Sequence, residues 1–130
     1  MTKRINISSD VPWEDQVGYS RAVRIGNLVE VTGTVAAEGS TVIGRGNPYE
    51  QTAFILQKIE KVLLEAGAKK QDIIRTRMFV IDISQWEQID KAHGEFFAGI
   101  KPATSMIEVK GLISPEYLIE IEATAVISED

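Results

Sequence analysis

The segment from Asn47 to Gly67, NPYEQTAFILQKIEKVLLEAG, constrains the fold more than any other, because it carries a helix together with both of its ends. Asn47 offers an N-cap side chain, Pro48 suits the first helical position, and Glu50 stands three residues after the cap, so the orphan N–H groups are satisfied reciprocally. Thr52, Ile55, Leu56, Ile59, Val62, Leu63 and Ala66 recur at helical spacing, and Gly67 is a good C′ residue. The pattern predicts one amphipathic helix over 48–66. A second start, SQWE, repeats the device with Ser84 and Glu87. The helix it opens presents Trp86, Ile89, Asp90, His93, Phe96, Phe97 and Ile100 on one stripe, and Gly99 marks its end.

Around these helices lie segments rich in Val, Ile and Thr at 21–25, 28–36, 73–81, 103–109 and 118–127, with a further short strand near 3–7. About six strands with only two helices predict an α+β fold in which both helices cover one face of a sheet. At 130 residues, 44% of them hydrophobic, the chain is the size of one domain, 1–130, with enough apolar side chains for a core.

Strand alternation then assigns the faces. Ile119, Ile121, Ala123, Ala125 and Ile127 point to the helices, and Leu118, Glu120, Glu122, Thr124 and Val126 point away. The same period sends Val29, Val31, Gly33 and Val35 inward with Ser105, Ile107 and Val109, leaving Leu28, Glu30, Thr32, Thr34, Thr104, Met106 and Glu108 on the far side. One side of an antiparallel sheet is often simply wet. Here that side mixes Leu28, Met106, Leu118 and Val126 with polar groups, a composition better suited to contact with another subunit.

Charge and composition remove several functions. A net charge of −5 with scattered basic residues disfavours a nucleic-acid partner, whose phosphates call for clustered Lys and Arg. The densest basic group, Lys69 and Lys70, follows a helix end and suits the helix dipole. There is no cysteine, hence no disulfide, thiol nucleophile or thiolate metal site. No apolar run approaches the ~20 residues that cross a bilayer, and the first residues lack the apolar stretch of a secretory signal, so the expectation is a cytoplasmic protein with no membrane partner.

Few residues carry chemistry. His93 is the single histidine, which excludes a two-histidine ribonuclease site or a multi-histidine metal site within one chain, and no metal is expected. Asp90, one turn earlier, can orient the imidazole or raise its pKa, although a hydrogen-bonded helix-edge histidine is the favoured reading. Glu120 and Glu122 share a strand face at i and i+2, where either can hold a proton or a water and where a solvated face explains them equally well. Arg75 and Arg77 read as ion-pair partners, with anion binding the bolder alternative. The glycines of GRGNP lack the lysine of a phosphate loop, and a turn before the Asn47 cap accounts for them.

Taken in order, YSRAV at 19–23, VTG at 31–33, QTAFILQKIEKVLLEAGA at 51–68, MFVIDIS at 78–84, FF at 96–97, PATS at 102–105 and IEIEATAVI at 119–127 resemble the reactive intermediate deaminase family, Rid, also called YjgF, over almost the full length. The resemblance implies a chorismate-mutase-like α+β fold with a mixed sheet, and a homotrimer whose sheets form a central barrel with three ligand clefts between neighbouring subunits. It also implies hydrolysis of enamine and imine intermediates to 2-oxo acids and ammonia, without cofactor or metal. By the same likeness Glu120 positions water, Tyr19 lines the cleft as a second catalytic position, and Gly33 and Met106 offer backbone N–H groups. Asp90 and His93 fall where the family has Asn and Tyr, and Thr32 lies beside Gly33 in the substrate-binding set. Thr104 stands where the family pattern Pro-Ala-Arg-Ser has the arginine that holds the substrate carboxylate, and a neutral hydroxyl cannot replace a planar cation. The resemblance therefore implies a small-metabolite cleft with altered selectivity, or a binding trimer without catalysis. The family has also been labelled endoribonuclease, which the acidic charge and single histidine oppose.

Overall fold

In the computed structural model, which describes residues 3–128, eight strands and three helices are arranged around one sheet. They run β1 (Arg4–Ile7), α1 (Pro12–Val17), β2 (Ala22–Ile25), β3 (Leu28–Thr34), β4 (Ala37–Glu38), β5 (Thr41–Val42), α2 (Pro48–Glu65), β6 (Ile73–Val80), α3 (Trp86–Phe96), β7 (Ala103–Glu108) and β8 (Ile119–Val126). Six strands form the main sheet in the order β1-β2-β3-β8-β6-β7, and β4 and β5 make a separate small hairpin. The sheet is mixed, because β7 pairs with β6 in parallel across α3 while every other pairing is antiparallel.

The long helix forms as its sequence predicts. The Asn47 side chain accepts the Glu50 N–H at 3.0 Å, Pro48 opens the helix, and Gly67 follows its end at φ 88°, a left-handed conformation that glycine adopts without steric penalty. Ile55, Leu56, Ile59 and Leu63 are fully buried against the sheet, each worth roughly 1.5–3 kcal/mol over an exposed position. The second cap differs from expectation. Asp82 accepts both the Ser84 N–H (3.0 Å) and the Ser84 hydroxyl (2.6 Å), so a 3₁₀ turn at Ile83–Gln85 precedes α3, and Ser84 is a donor there rather than the cap. A carboxylate outcompetes a hydroxyl as acceptor.

The helix-facing side of the sheet is the core: Ile119, Ile121, Ala123 and Ala125 of β8 meet Thr76, Met78 and Val80 of β6 beneath α2 and α3. Two face assignments change. Between Val31 and Thr34 the register of β3 against β8 slips by one residue, a β-bulge that buries Thr34 opposite Ile121 and leaves Gly33 against Glu120. In β7, Thr104 and Met106 pair with the inward-facing Thr76 and Met78, so these two lie on the helix side and Ser105 and Ile107 on the other. Strand period fixes which residues share a face, but pairing decides which face that is.

Two elements were not anticipated. Helix α1 is short and largely exposed, and it is held by buried Glu14, which accepts the Ser8 hydroxyl (3.0 Å), the Ser9 N–H (3.1 Å) and the Ser9 hydroxyl. The 28–36 segment stops at Thr34 and gives way to the small hairpin. Buried Gln51 ties loops to the core, with its amide N–H groups donating to the carbonyls of Gly44 (3.3 Å) and Glu116 (3.0 Å) while its oxygen accepts the Leu118 N–H (2.9 Å). That clamp holds the approach to β8 and so helps to fix where Glu120 begins.

Candidate functional site

Glu120 leaves β8 on the side away from the core and rests over Gly33, so closely that a Cβ at Gly33 would overlap the carboxylate. Glycine at the bulge is what makes room. Burial, and then the charge of Glu122, push the Glu120 pKa above the ordinary carboxylate range, while Arg21 draws it back. The group is therefore a stronger base than an exposed glutamate.

The carboxylate opens into a cavity of about 1230 Å³ lined here by Tyr19, Arg21, Thr32, Gly33 and Tyr117. The β2–β3 region builds this wall. Thr32 donates its hydroxyl to the Ser20 carbonyl (2.5 Å) and its N–H to the Arg21 carbonyl (3.1 Å), and Arg21 Nη2 donates to the Gly33 carbonyl (2.7 Å) with the guanidinium 5.9 Å from the centre of the Tyr19 ring. A base, a phenol and a cation thus share one concavity. Such a set can orient a small polar molecule and accept a proton from it.

The remaining candidates form a second group elsewhere. His93 is buried on the inner side of α3, its Nε2 2.9 Å from the Thr76 hydroxyl, which is in turn 2.7 Å from the Thr104 hydroxyl. Phe97 lies against the imidazole at 4.6 Å. Burial lowers the His93 pKa, and the charge of exposed Asp90 acts in the expected upward direction but only partly offsets it. Met106 follows Thr104 along the same face of β7 and packs on the core.

The structure therefore brings Glu120, Tyr19, Thr32 and Gly33 together, and gathers Thr104, Met106 and His93 around β7, with Asp90 exposed on α3. Of Arg75 and Arg77, Arg77 takes the ion-pair role, 3.8 Å from Glu122. Arg21, which the sequence offered alongside Arg75 and Arg77 as a cation to stand in for the arginine missing at Thr104, is the one beside Glu120. Lys58, on the exposed-polar side of the α2 pattern, also lines the cavity and gave no signal at all. Among the described residues no cluster of His, Asp or Glu is arranged to hold a metal, and no helix is long and apolar enough to cross a membrane.

Residues 13–127 match the family model described as endoribonuclease L-PSP. An uncharacterized protein of Streptomyces coelicolor is 34% identical over 92% of this chain and 89% of its own length. A solved structure from Mycobacterium tuberculosis, a member of the YjgF/YER057c/UK114 family, is 44% identical with a TM-score of 0.88, covering 96% of this chain and 100% of that one. A Rid family protein from Yersinia pestis superposes with a TM-score of 0.83 at 26% identity, covering 96% of this chain and 100% of that one. The mixed sheet, the two covering helices and the family match over nearly the whole chain agree: this chain belongs to the YjgF/Rid family, whose family model bears the description endoribonuclease L-PSP.

Proposed function

We propose that the protein binds a small carbonyl- or imine-related metabolite in a cleft completed between subunits of a homotrimer, and hydrolyses enamine or imine intermediates with Glu120 holding the attacking water. The observation that carries this reading is the half-buried Glu120 carboxylate, raised in pKa and facing a cavity shared with Tyr19. The chemistry balances without a cofactor. An enamine takes up a proton at carbon to become the iminium ion; Glu120 accepts a proton from water as the water oxygen bonds to the iminium carbon; that proton passes from Glu120 to nitrogen, and the C–N bond breaks as the new hydroxyl returns its proton to Glu120, leaving ammonia and a carbonyl, after which Glu120 gives back the proton that the enamine consumed.

The trimer is supported by the uncovered sheet face, where Ile25, Leu28, Ile107 and Val126 are exposed. It is supported also by the separation of the two residue groups, which a neighbouring copy would reunite. A second reading, a trimer that binds without catalysis, is favoured by Thr104: at the arginine's place by resemblance, it carries a neutral hydroxyl already bonded to Thr76. RNA cleavage, the activity named in the family model, is poorly served by a lone histidine that is buried, neutral and hydrogen-bonded.

The deciding experiment generates 2-aminoacrylate from serine with a dehydratase and follows its decay to pyruvate. Wild type is expected to accelerate the decay over buffer, and Glu120→Gln to lose on the order of a hundredfold of that acceleration with the oligomer intact. No acceleration by the wild type rules out hydrolysis and leaves the binding reading.

A further inference from the structure

We propose that Lys58 is a nucleophile whose side-chain amine captures a small, neutral aldehyde with an apolar tail in the Glu120 cavity, as a Schiff base. This chemistry goes beyond the hydrolysis proposed above and does not require it. Lys58 stands half-buried on the cavity side of α2, with Phe54 and Val62 one turn away on either side and lining the same cavity. Its Nζ donates to the Ala37 carbonyl at 2.9 Å, and among the described residues no carboxylate closes an ion pair with it. Glu38 acts on it only from beyond contact. An ammonium so placed has given up part of its water, and the apolar side chains beside it return nothing in exchange. Lys61 lines the same cavity but is exposed, so the two amines of one helix face differ in their surroundings.

Burial disfavours the ammonium most, the guanidinium of Arg21 adds to that, and Glu38 opposes both, which leaves the Lys58 pKa below the usual lysine range. Desolvation and a neighbouring cation are the two means by which a lysine amine becomes a nucleophile near neutral pH. The neutral amine keeps one N–H on the Ala37 carbonyl, which steadies the nitrogen and leaves its lone pair available. That lone pair bonds to the aldehyde carbon as the C=O π electrons move to oxygen, and a proton passes from nitrogen to that oxygen to give a carbinolamine. Protonated Glu120 then gives its proton to the new hydroxyl, water leaves as the nitrogen lone pair closes the C=N bond, and the nitrogen returns a proton to Glu120. One water is released, and nothing is oxidised or reduced. Arg21 acts on Lys58 and on Glu120 alike, so amine and carboxyl share one part of the cavity. Phe54 and Val62 suit an apolar tail on the captured aldehyde.

The test incubates the full-length protein near neutral pH with 3-methylbutanal and sodium cyanoborohydride, which reduces the Schiff base to a stable secondary amine, and maps the alkylated amines by peptide mass spectrometry. Reading peptide by peptide keeps reaction at the chain's α-amino group apart. Lys58 is expected to be alkylated roughly tenfold faster than Lys61, as a tenfold larger neutral fraction gives, and to lose that lead in concentrated urea. Glu38→Gln should lower the pH at which Lys58 reacts at half its maximal rate, and Arg21→Met should raise it, shifts that a merely structural role would not produce. Because Arg21→Met also removes a bond to the bulge, Glu38→Gln and the wild-type comparison of the two lysines stand independently of it. Equal alkylation of Lys58 and Lys61, no alkylation of Lys58, or a lead that persists in urea overturns the nucleophile. The hydrolysis assay fails or succeeds separately: capture at Lys58 without faster 2-aminoacrylate decay keeps the nucleophile and rejects the hydrolysis, and hydrolysis without capture does the reverse.

Discussion

His93 and Glu120 are both partly withdrawn from water, and burial acts on them with opposite sign. For His93 it disfavours the cation, so the folded chain binds a proton less readily than the unfolded one. Its contribution to stability is thus complete above the unfolded value of about 6.5 and diminishes as the pH falls below it. Thermal unfolding of wild type should show a decline in Tm from about pH 7 to about pH 5 that is shallower in His93→Gln. Identical slopes would mean that the imidazole titrates normally in the fold. Glu120 is raised instead, so its ionisation costs stability as pH increases through its folded value, and comparison of the two proteins at each pH cancels that effect. At this scale both groups were already candidates in the sequence. Their protonation required burial and neighbours, which no residue announces alone.

Between Val31 and Thr34 a single extra residue decides where the base points. The bulge turns Gly33 toward Glu120 and Thr34 into the core, reversing the simple alternation. A glycine inside a strand was the available hint, since such glycines often mark bulges or close approaches. In Gly33→Ala the added methyl meets the flexible tip of Glu120, not backbone, so the side chain swings away while the strand holds. Unfolding free energy is expected to change by less than about 1 kcal/mol, whereas enamine hydrolysis falls by roughly tenfold or more as the carboxylate leaves its position. Undiminished hydrolysis would show that the location of Glu120 is immaterial. The helix over Asn47–Gly67 needed no such help, because its caps, stripe and terminal glycine are all local. Strand β7 was the opposite case: mostly exposed on both sides, it has no apolar face to reveal its orientation, and its parallel pairing with β6 alone turns Thr104 toward His93.

One polypeptide carries both residue groups, on different parts of the same sheet. Glu120, Tyr19 and Arg21 face the cavity beside β3, while Thr104 lies on β7, the outermost strand at one edge. A shared cleft requires a second copy to bring the β7 group of one subunit to the cavity of the next. Light scattering at micromolar concentration is expected to give a particle three times the 14.4 kDa chain mass. A particle of one chain mass would remove the shared cleft, though not the Glu120 cavity itself.

Capping residues, helical spacing and strand period act between neighbours a few positions apart, and for that reason the sequence alone determined helices α2 and α3, most strand positions, the α+β class and the family resemblance. The bulge, the orientation of β7 and the meeting of Arg21 and Lys58 with Glu120 were decided only in the tertiary structure. Each depends on pairing between segments far apart in the chain, and a hydrogen-bond register or a shared cavity leaves no periodic trace in either partner.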